Sequence, residues 1–509
     1  MQGEISEALS AGEERFELWR QRSGLMLAPV AFALVWAQSS GLEPPAHHLA
    51  AILAAVIVLW VTEAIPMAMT AFLGVAAAVV LHVAPAGSAF APFADPLIFL
   101  FIGTFMLAQA IFFHRLDRRF AFAILGLPGV GEHPGRILAA YAAVTGSLSM
   151  WISNTATTAM MFPIGVSILS FLESHPRNGQ LKPQYGTLLL LSTAFAASIG
   201  GLATPVGTPP NLIGIGFIRQ QTAVNVPFFS WMALGLPVAA LLLVWTVFNL
   251  WRHGVPRGSR IDGVTEMIRA ESAALGAWTR GQRNTMIAFG ATVTLWVFPG
   301  FVALVAGQEH VLYRWLVTTL PEGVVALLGA GLLFVLPTDL KRHEFTLSWS
   351  EAVKIDWWIV FLYGGGIALG TLAFQTGLAD ALGRALTSWL GVRSGFGLLA
   401  LSTAMATVLS ETTSNTASAN MVVPVVIAFA RSAGIDPVVP AIGATLGASL
   451  GFMLPVSTPC NAIVYGSGRI PLTAMMRHGL LLDVVGIIVI VTVLGTLGPS
   501  ILGTIPRSP

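Results

Sequence analysis

The chain has 509 residues, of which 55% are hydrophobic and only 10% are charged. Soluble proteins carry about 25% charged residues, so the composition excludes a single water-soluble globule, and its hydrophobicity excludes a disordered chain. The net charge of +2 comes from scattered residues and not from a basic run, which argues against nucleic-acid binding. A single cysteine, Cys460, excludes an intrachain disulfide.

The N-terminal residues 1–24 contain several Glu and Arg before any apolar run, which predicts an amphipathic segment on the membrane surface and not a signal peptide. The remainder predicts an all-α polytopic membrane protein with about 11 transmembrane helices, since each span needs about 20 mostly apolar residues. The predicted spans are roughly 25–41, 47–63, 67–85, 97–113, 186–218, 228–251, 284–306, 322–337, 357–376, 441–468 and 478–502.

Two further apolar stretches, about 136–173 and about 395–430, are too long for one span and contain Ser, Asn and Thr at their middles. We interpret both as re-entrant hairpins, because irregular backbone at membrane depth occurs only where it lines a cavity or is buried in protein. The spans 186–218 and 441–468 each contain a Thr-Pro pair that predicts a broken helix.

Cytoplasmic loops of membrane proteins carry an excess of Lys and Arg. Placing the N-terminus in the cytoplasm and the C-terminus outside puts most of the 26 Lys and Arg residues inside. The polar segment 252–283 is then a cytoplasmic linker between two halves, 25–251 and 284–509. This orientation opens the first hairpin to the cytoplasm and the second to the outside of a plasma (inner) membrane.

The two halves share a repeated sequence. Six of the eleven residues in 153–163 are identical to those in 414–424, including Ser-Asn-Thr-Ala. Six of the thirteen residues in 207–219 are identical to those in 457–469, including Thr-Pro-x-Asn. The charge rule places Arg219 outside and its counterpart Arg469 inside, so we expect the two repeats to be inverted.

Inverted repeats with broken helices are typical of secondary transporters, which bind substrate and coupling ions near the midplane. The alternative is an old duplication that kept only residues needed for folding. Polar residues are costly at membrane depth, and these persist while their apolar surroundings have diverged, which favours a functional site.

The polar tips suit an anion that is bound together with a cation. Helix N-termini at a tip provide backbone N–H groups for an anion. Asn154 and Asn415 can each donate from the amide nitrogen to an anion and offer the carbonyl oxygen to a cation. No Lys, Arg or His lies within either tip or either Thr-Pro break. Two tips suggest a dicarboxylate held at both ends, or one compact divalent anion.

Three other residues need interpretation. Glu63 could be functional or an interfacial hydrogen-bond anchor, and we weigh the two equally. Glu411 is interpreted as a structural partner of backbone donors, because the equivalent position in the first repeat is Met150. Ser449 lies in a G-x-S-x-G pattern, but a membrane helix is the wrong context for a nucleophile elbow. We therefore expect no enzymatic activity.

At these residues the chain resembles the divalent anion:sodium symporter family, the INDY-type dicarboxylate transporters. The resemblance rests on 149–156, on 414–417, on the two Thr-Pro-x-Asn breaks and on Trp60-Val-Thr-Glu-Ala-Ile-Pro66. It implies a homodimer with a scaffold domain and a transport domain that moves as an elevator. It also implies sodium-coupled uptake of C4-dicarboxylates such as succinate, fumarate or malate, with sodium as the coupling ion and no other cofactor.

The resemblance also implies three groups of binding residues. The substrate-binding residues would be Ser153, Asn154, Thr155, Thr208, Ser414, Asn415, Thr416, Thr458 and Pro459. The first sodium site would use Ser149, Ser153, Asn154 and backbone carbonyls of Gly200 or Gly201. The second sodium site would use Ser410, Thr413, Asn415 and Ser457.

Other functions stay open at this point. A sodium-independent dicarboxylate exchanger, or a sodium-coupled sulfate or tricarboxylate transporter, would keep the same fold. An arsenite or sodium/proton antiporter is more distant, because it does not need two Ser-Asn-Thr tips. A membrane enzyme using Ser449 is the candidate from another class.

Overall fold

The computed structural model describes residues 11–38, 41–174, 184–255, 261, 263–392 and 394–503. Parts of the predicted N-terminal segment (1–10), of the linker (256–260 and 262) and of the C-terminal end (504–509) lie outside the described residues. So do 175–183, between the first hairpin and the first broken helix, and 393, just before the second hairpin.

The described residues are organised as helices, in keeping with the predicted fold class. Before the linker they are α1 Ala11–Ala37, α2 Pro44–Thr62, α3 Met67–Val80, α4 Ala86–Phe90, α5 Pro96–Phe113, α6 Leu116–Leu125, α7 Pro134–Ser149, α8 Asn154–Ser174, α9 Gln184–Gly201, α10 Pro209–Thr222 and α11 Phe228–Gly254. A short 3-10 turn, Ala91–Ala94, joins α4 to α5.

The linker contains the helix α12 Val264–Ala274. The second half includes one small hairpin of strands, and the elements that follow α12 are α13 Arg280–Ala306, α14 Val311–Thr319, α15 Glu322–Val335, β1 Pro337–Asp339, β2 Glu344–Phe345, α16 Trp349–Ala352, α17 Trp357–Gln375, α18 Leu378–Leu390, α19 Gly395–Thr412, α20 Asn415–Ser432, α21 Val438–Gly447, α22 Pro459–Tyr465 and α23 Leu472–Leu502. The antiparallel strands β1 and β2 flank a 3-10 turn, Leu340–Arg342.

Within the described ranges, seven helices are long and apolar enough to cross a membrane, or up to nine if two bent pairs each count as one span. The predicted span 67–85 is a helix of 14 residues, and the predicted spans 186–218 and 441–468 are each divided into two helices, and none of the three is among those seven helices. Conversely α8, the second arm of the predicted first hairpin, has 21 residues and does meet it. Helix α1 runs through residue 24 without a break.

The sequence explains where the helices stop at the predicted site. Each broken helix restarts with an extended Thr followed by Pro, at Thr208-Pro209 and at Thr458-Pro459. Proline at the first helical position lacks an N–H that would have no partner there, and its φ is preset for a helix. The breaks therefore leave irregular backbone over 202–208 and 448–458.

The two halves are interwoven around these breaks. Helix α10, from the first half, packs on α20 and α21 of the second, while α22 of the second packs on α8 and α9 of the first. The largest hydrophobic cluster contains residues from all of these helices. A separate cluster joins α2, α3 and α17, and another joins α5, α13 and α15. The interwoven helices bring the residues of both repeats into one region.

Candidate functional site

The first half-site consists of the tip between α7 and α8, residues 149–155, and the break between α9 and α10, residues 200–211. Ser149 is the last residue of α7, is fully buried, and its Oγ lies 2.7 Å from the side-chain amide of Asn154. Ser153 precedes α8, and its Oγ accepts from the backbone N–H of Ala156 at 3.3 Å. Asn154, the first residue of α8, thus places its side-chain amide against the last residue of α7.

The amide of Asn154 lies among oxygen atoms of the neighbouring helix and break. One of its two terminal atoms is 2.7 Å from Ser149 Oγ, 3.1 Å from the Ala197 carbonyl oxygen and 3.3 Å from the Gly207 carbonyl oxygen. If that atom is nitrogen, it donates to all three. If it is oxygen, four oxygens converge, which is the ligand chemistry of a hard cation. Sequence reasoning missed Ala197 and Gly207, because they contribute only backbone.

Glycines make this approach possible. A Cβ on Gly201 would lie 2.9 Å or less from the Asn154 amide atoms, and a Cβ on Gly200 would clash with the Gly146 backbone. The Gly201 carbonyl accepts from Asn211 Nδ2 at 2.8 Å, and the same amide nitrogen donates to the Thr204 carbonyl at 2.8 Å. Both predicted carbonyl ligands thus already accept a hydrogen bond, since the Gly200 carbonyl accepts from the Ala203 N–H at 3.0 Å.

The first break also positions Thr208 and fastens the tip. Thr208 is buried at the start of α10, and its side chain does not cap the helix. Thr204 Oγ1 donates to the Met150 carbonyl oxygen at 2.5 Å, which joins the break to the tip. The Thr208 hydroxyl therefore does not serve as the N-cap of α10.

The second half-site consists of the tip 410–416 and the break 451–461. Ser410 Oγ lies 2.7 Å from both Asn415 Oδ1 and the Ala448 carbonyl oxygen. Asn415 Nδ2 reaches the Ser449 carbonyl at 3.5 Å. Ser414 caps α20 by accepting from the Ala417 N–H at 3.2 Å. The serine and asparagine therefore meet here as they do in the first half-site.

The other residues predicted for the second half-site differ in what they contact. Thr413 Oγ1 donates to the Leu409 carbonyl at 2.9 Å, and Thr416 is buried. Thr458 Oγ1 accepts from the Asn461 N–H at 3.1 Å, while the following Pro459 is exposed. The Asn461 side chain donates to two carbonyls of the break, Gly451 and Leu454, each at 2.9 Å.

The expectation that Glu411 meets backbone donors is confirmed. Its carboxylate accepts from the backbone N–H groups of Met453 at 2.8 Å and Leu454 at 3.1 Å, and from Ser457 Oγ at 2.7 Å. Ser457, a predicted sodium ligand, thus directs its hydroxyl toward this carboxylate. Glu63 has a different partner, because its carboxylate accepts a hydrogen bond of 3.2 Å from Arg20 of α1. This contact is of the kind expected for a hydrogen-bond anchor.

The two half-sites touch each other. Cys460, beside Pro459, is buried with its thiol in contact with Thr155, Thr158 and Ser198. Thr155 belongs to the first tip, so the second break lies directly against it. Ser449 Oγ is fully buried and has no hydrogen-bond partner within the described ranges. The structure thus brings both tips and both breaks into one polar region.

The motif 60–66 also lies near this region. Trp60 Nε1 donates to the Met67 carbonyl at 3.1 Å, which closes the turn between α2 and α3. The thioether of Met67 is 3.2 Å from Ser414 Oγ in the second tip. This turn therefore lies against the second half-site.

Comparison with known proteins gives consistent matches along the chain. The family model described as sodium:sulfate symporter transmembrane region matches residues 17–504. The sodium-dependent dicarboxylate transporter SdcS of Staphylococcus saprophyticus is 32% identical over 495 residues, which covers 95% of this chain and 92% of that protein. The SdcS protein of Staphylococcus aureus is 31% identical over 494 residues, with the same coverage.

A solved structure has the same overall fold. The crystal structure of the Alcanivorax borkumensis YdaH transporter matches with a TM-score of 0.53 and 14% sequence identity. The match covers 96% of this chain and 99% of that one. At this identity the likeness concerns the fold alone.

Proposed function

Since the chain belongs to the sodium:sulfate symporter family, the divalent anion:sodium symporters, we propose that it couples the inward movement of sodium to uptake of a C4-dicarboxylate such as succinate, fumarate or malate. Its relatives SdcS of two staphylococci are named as sodium-dependent dicarboxylate transporters. A multi-pass membrane protein of this family needs no catalytic residue for such a task, only a site that can face each side of the membrane in turn.

The observation that carries the proposal is the pair of Ser-Asn contacts at the two tips. Each asparagine amide meets a serine hydroxyl at 2.7 Å at a helix N-terminus. One amide end can accept a cation while the other end and the helix N–H groups face an anion. Because the tips carry no Lys, Arg or His, the positive charge needed beside a dianion would come from the co-transported sodium.

The electrical work favours sodium coupling. Moving a dianion inward against about 100 mV costs about 4.6 kcal/mol, at about 2.3 kcal/mol per charge. About three sodium ions moving inward would return about 6.9 kcal/mol from the same potential. The cycle would then be driven by the membrane potential as well as by the sodium gradient.

The residue roles follow the two half-sites. One sodium would use Ser149, Ser153 and Asn154 with nearby carbonyls, among which Ala197 and Gly207 join Gly200 and Gly201. The other would use Ser410, Thr413, Asn415 and Ser457. The substrate carboxylates would meet residues of the two tips and of the two Thr-Pro breaks: Ser153, Asn154, Thr155, Thr208, Ser414, Asn415, Thr416, Thr458 and Pro459.

The transport step would be an elevator movement within a homodimer in the plasma membrane, with the N-terminus cytoplasmic and the C-terminus outside. The helices that contain the site, α7–α10 and α19–α22, would move as one transport domain. This grouping is supported by the packing of α10 on α20 and α21 and of α22 on α8 and α9, which joins the site-bearing helices of the two halves.

Uptake of labelled succinate into proteoliposomes tests the proposal. We expect uptake that requires an inward sodium gradient and no internal succinate. Uptake that requires internal succinate and does not depend on sodium would show that the protein is an exchanger, and it would contradict the proposed sodium sites. If unlabelled sulfate or citrate competes with succinate better than fumarate does, the proposed substrate class is wrong.

The dual role of the asparagines has its own test. Replacing Asn154 or Asn415 by Ala should weaken both the sodium dependence and the apparent succinate affinity by about tenfold or more, since one good polar contact is worth on the order of 1.5–3 kcal/mol when a charge is involved. Asn225→Ala, at an exposed residue after α10, is the matched control. A variant that changes only one of the two dependences would contradict the dual role.

A further inference from the structure

A buried carboxylate, Asp95, joins three helices at some distance along the chain from both tips. Asp95 is 7% exposed and precedes α5. Its Oδ1 accepts from the Leu97 N–H at 2.9 Å and from the hydroxyl of Tyr363 at 3.2 Å. Its Oδ2 accepts from the Arg219 guanidinium and from Gln220 Nε2 at 3.1 Å. The charge is thus paired and fully hydrogen-bonded.

The donors come from different parts of the molecule. Arg219 and Gln220 lie in the last turn of α10, whereas Tyr363 lies on α17. Gln220 also accepts from Thr371 Oγ1 of α17 at 2.7 Å, so its amide bridges α5 and α17. Helices α5 and α17 contain none of the predicted binding residues.

Glycines keep α10 and α17 in close contact at this point. A Cβ on Gly216 of α10 would lie 2.5 Å from the Tyr363 hydroxyl oxygen, and a Cβ on Gly370 of α17 would clash with the ring of Phe217. The ring of Tyr363 also packs on Phe101 of α5, with centroids 5.4 Å apart. The polar cluster therefore lies at a tight junction of α5, α10 and α17.

Helix α10 links this cluster to the site. Thr208 immediately precedes α10 and Asn211 lies in its first turn, whereas Arg219 and Gln220 lie in its last turn. With 14 residues and a rise of about 1.5 Å per residue it is a rod of about 20 Å. Any displacement of the first half-site relative to α5 and α17 must pull these donors away from Asp95.

The counterpart of Arg219 in the second repeat has a different partner. Arg469, the counterpart of Arg219, approaches Glu173 at 3.4 Å, with both side chains substantially exposed. Glu173 lies on α8, which itself contains first-tip residues. That ion pair therefore joins α8 to the segment that follows α22, and it need not break when the site moves.

We propose that Asp95, with Arg219, Gln220 and Tyr363, is a latch that holds the site-bearing helices against α5 and α17 in the conformation described here and that opens in each transport cycle. The inference rests on the proposed function, because only a moving site requires the latch to open. Asp95 acts through α10 and is a positioning residue, not a ligand of the substrate.

Distances between spin labels test the latch in the full-length protein. One label replaces Phe99, an exposed residue of α5, and the other replaces Asn225, in a Cys460→Ser background. We expect one main short distance without sodium, and at least a threefold larger long-distance population after Asp95→Asn. Tyr363→Phe, which removes one donor and keeps the ring, should give a smaller increase in the same direction.

A control pair distinguishes the latch from a loss of stability. Labels at Asn225 and at Val408, an exposed residue of the site-bearing α19, should give the same distance in every variant. A lower melting temperature with unchanged Phe99–Asn225 distances would assign Asp95 a purely structural role and overturn the latch. If Asp95→Asn does not fold, Tyr363→Phe and Gln220→Met decide in the same way.

Two further outcomes separate the latch from the proposed function. In one outcome, sodium and succinate lengthen the Phe99–Asn225 distance in the labelled chain that keeps Asp95, while Asp95→Asn leaves the distance distribution unchanged. The transporter proposal then holds and the latch is wrong. In the other outcome, the unlabelled protein takes up no succinate, and the distances in the labelled chain do not change with sodium or succinate. The proposed function is then wrong, and the latch is wrong with it.

Discussion

The Ser-Asn contact of the first half-site, Ser149 to Asn154, has the same length of 2.7 Å as its counterpart, Ser410 to Asn415. The asparagines of the two breaks are equally alike: Asn211 and Asn461 each donate to two carbonyls, at 2.8 Å in the first half and 2.9 Å in the second. What the halves share is thus an arrangement of amides and carbonyls around each break.

The halves differ in how the tip is fastened to the break. In the first half a neutral bond runs from Thr204 to the Met150 carbonyl. In the second half the equivalent positions are Leu454 and Glu411, and the Glu411 carboxylate holds two N–H groups and a hydroxyl. The comparison teaches that the same tip geometry can be held by a neutral bond or by a buried charge, so the two tips differ in electrostatic potential.

Removing the charged fastening should have the largest effect. Glu411→Gln replaces one acceptor oxygen by a donor that faces other donors, and charge-assisted hydrogen bonds contribute about 1.5–3 kcal/mol each. We expect a loss of about 3–5 kcal/mol in the free energy of unfolding, and at least a tenfold loss of succinate uptake. Thermal unfolding in detergent and proteoliposome uptake measure the two effects.

The matched change in the first half is Thr204→Val, which removes one neutral bond and should cost about 1 kcal/mol. Equal losses from Glu411→Gln and Thr204→Val would mean that the carboxylate adds nothing to the fastening. In that case the contrast between the two halves would have no energetic meaning.

The shared part of the two half-sites should respond symmetrically. Asn211→Ala and Asn461→Ala each remove two hydrogen bonds to break carbonyls in buried surroundings, so we expect each to lower the free energy of unfolding by about 2 kcal/mol. Paired measurements on the two variants check this, with the exposed Asn225→Ala as a neutral reference. A difference of more than about 1 kcal/mol between the two would show that one break depends on other contacts.

Much of this arrangement could be predicted from the sequence, because the repeat marks both tips and the Thr-Pro pairs mark both breaks. The contact of Glu411 with backbone donors was also predicted, from the absence of an acid at its counterpart Met150. The carbonyls of Ala197 and Gly207 could not be predicted, because any residue supplies a carbonyl and only the fold selects which ones face Asn154. The junction of Asp95, Arg219 and Tyr363 joins residues far apart in the chain, and no local pattern announces it.

The smallest effect is expected at Ser449, whose counterpart in the first repeat is the apolar Ile199. Its hydroxyl is fully buried and has no hydrogen-bond partner among the residues that the structure describes, and an unsatisfied buried polar group is destabilising. Ser449→Ala should therefore leave uptake unchanged and alter the free energy of unfolding by about 1 kcal/mol or less, with stabilisation as the expected direction.

Ser402→Ala provides the contrast for Ser449→Ala, because Ser402 Oγ donates within the buried face of α19 toward the Leu399 and Pro440 carbonyls at 3.1 Å. It should destabilise by about 1 kcal/mol, as expected for one lost hydrogen bond. If Ser449→Ala abolished uptake or a hydrolytic activity while Ser402→Ala did not, the hydroxyl of Ser449 would have a direct role that the first repeat lacks. The two half-sites would then differ in chemistry as well as in fastening, and the membrane-enzyme alternative would have to be considered again.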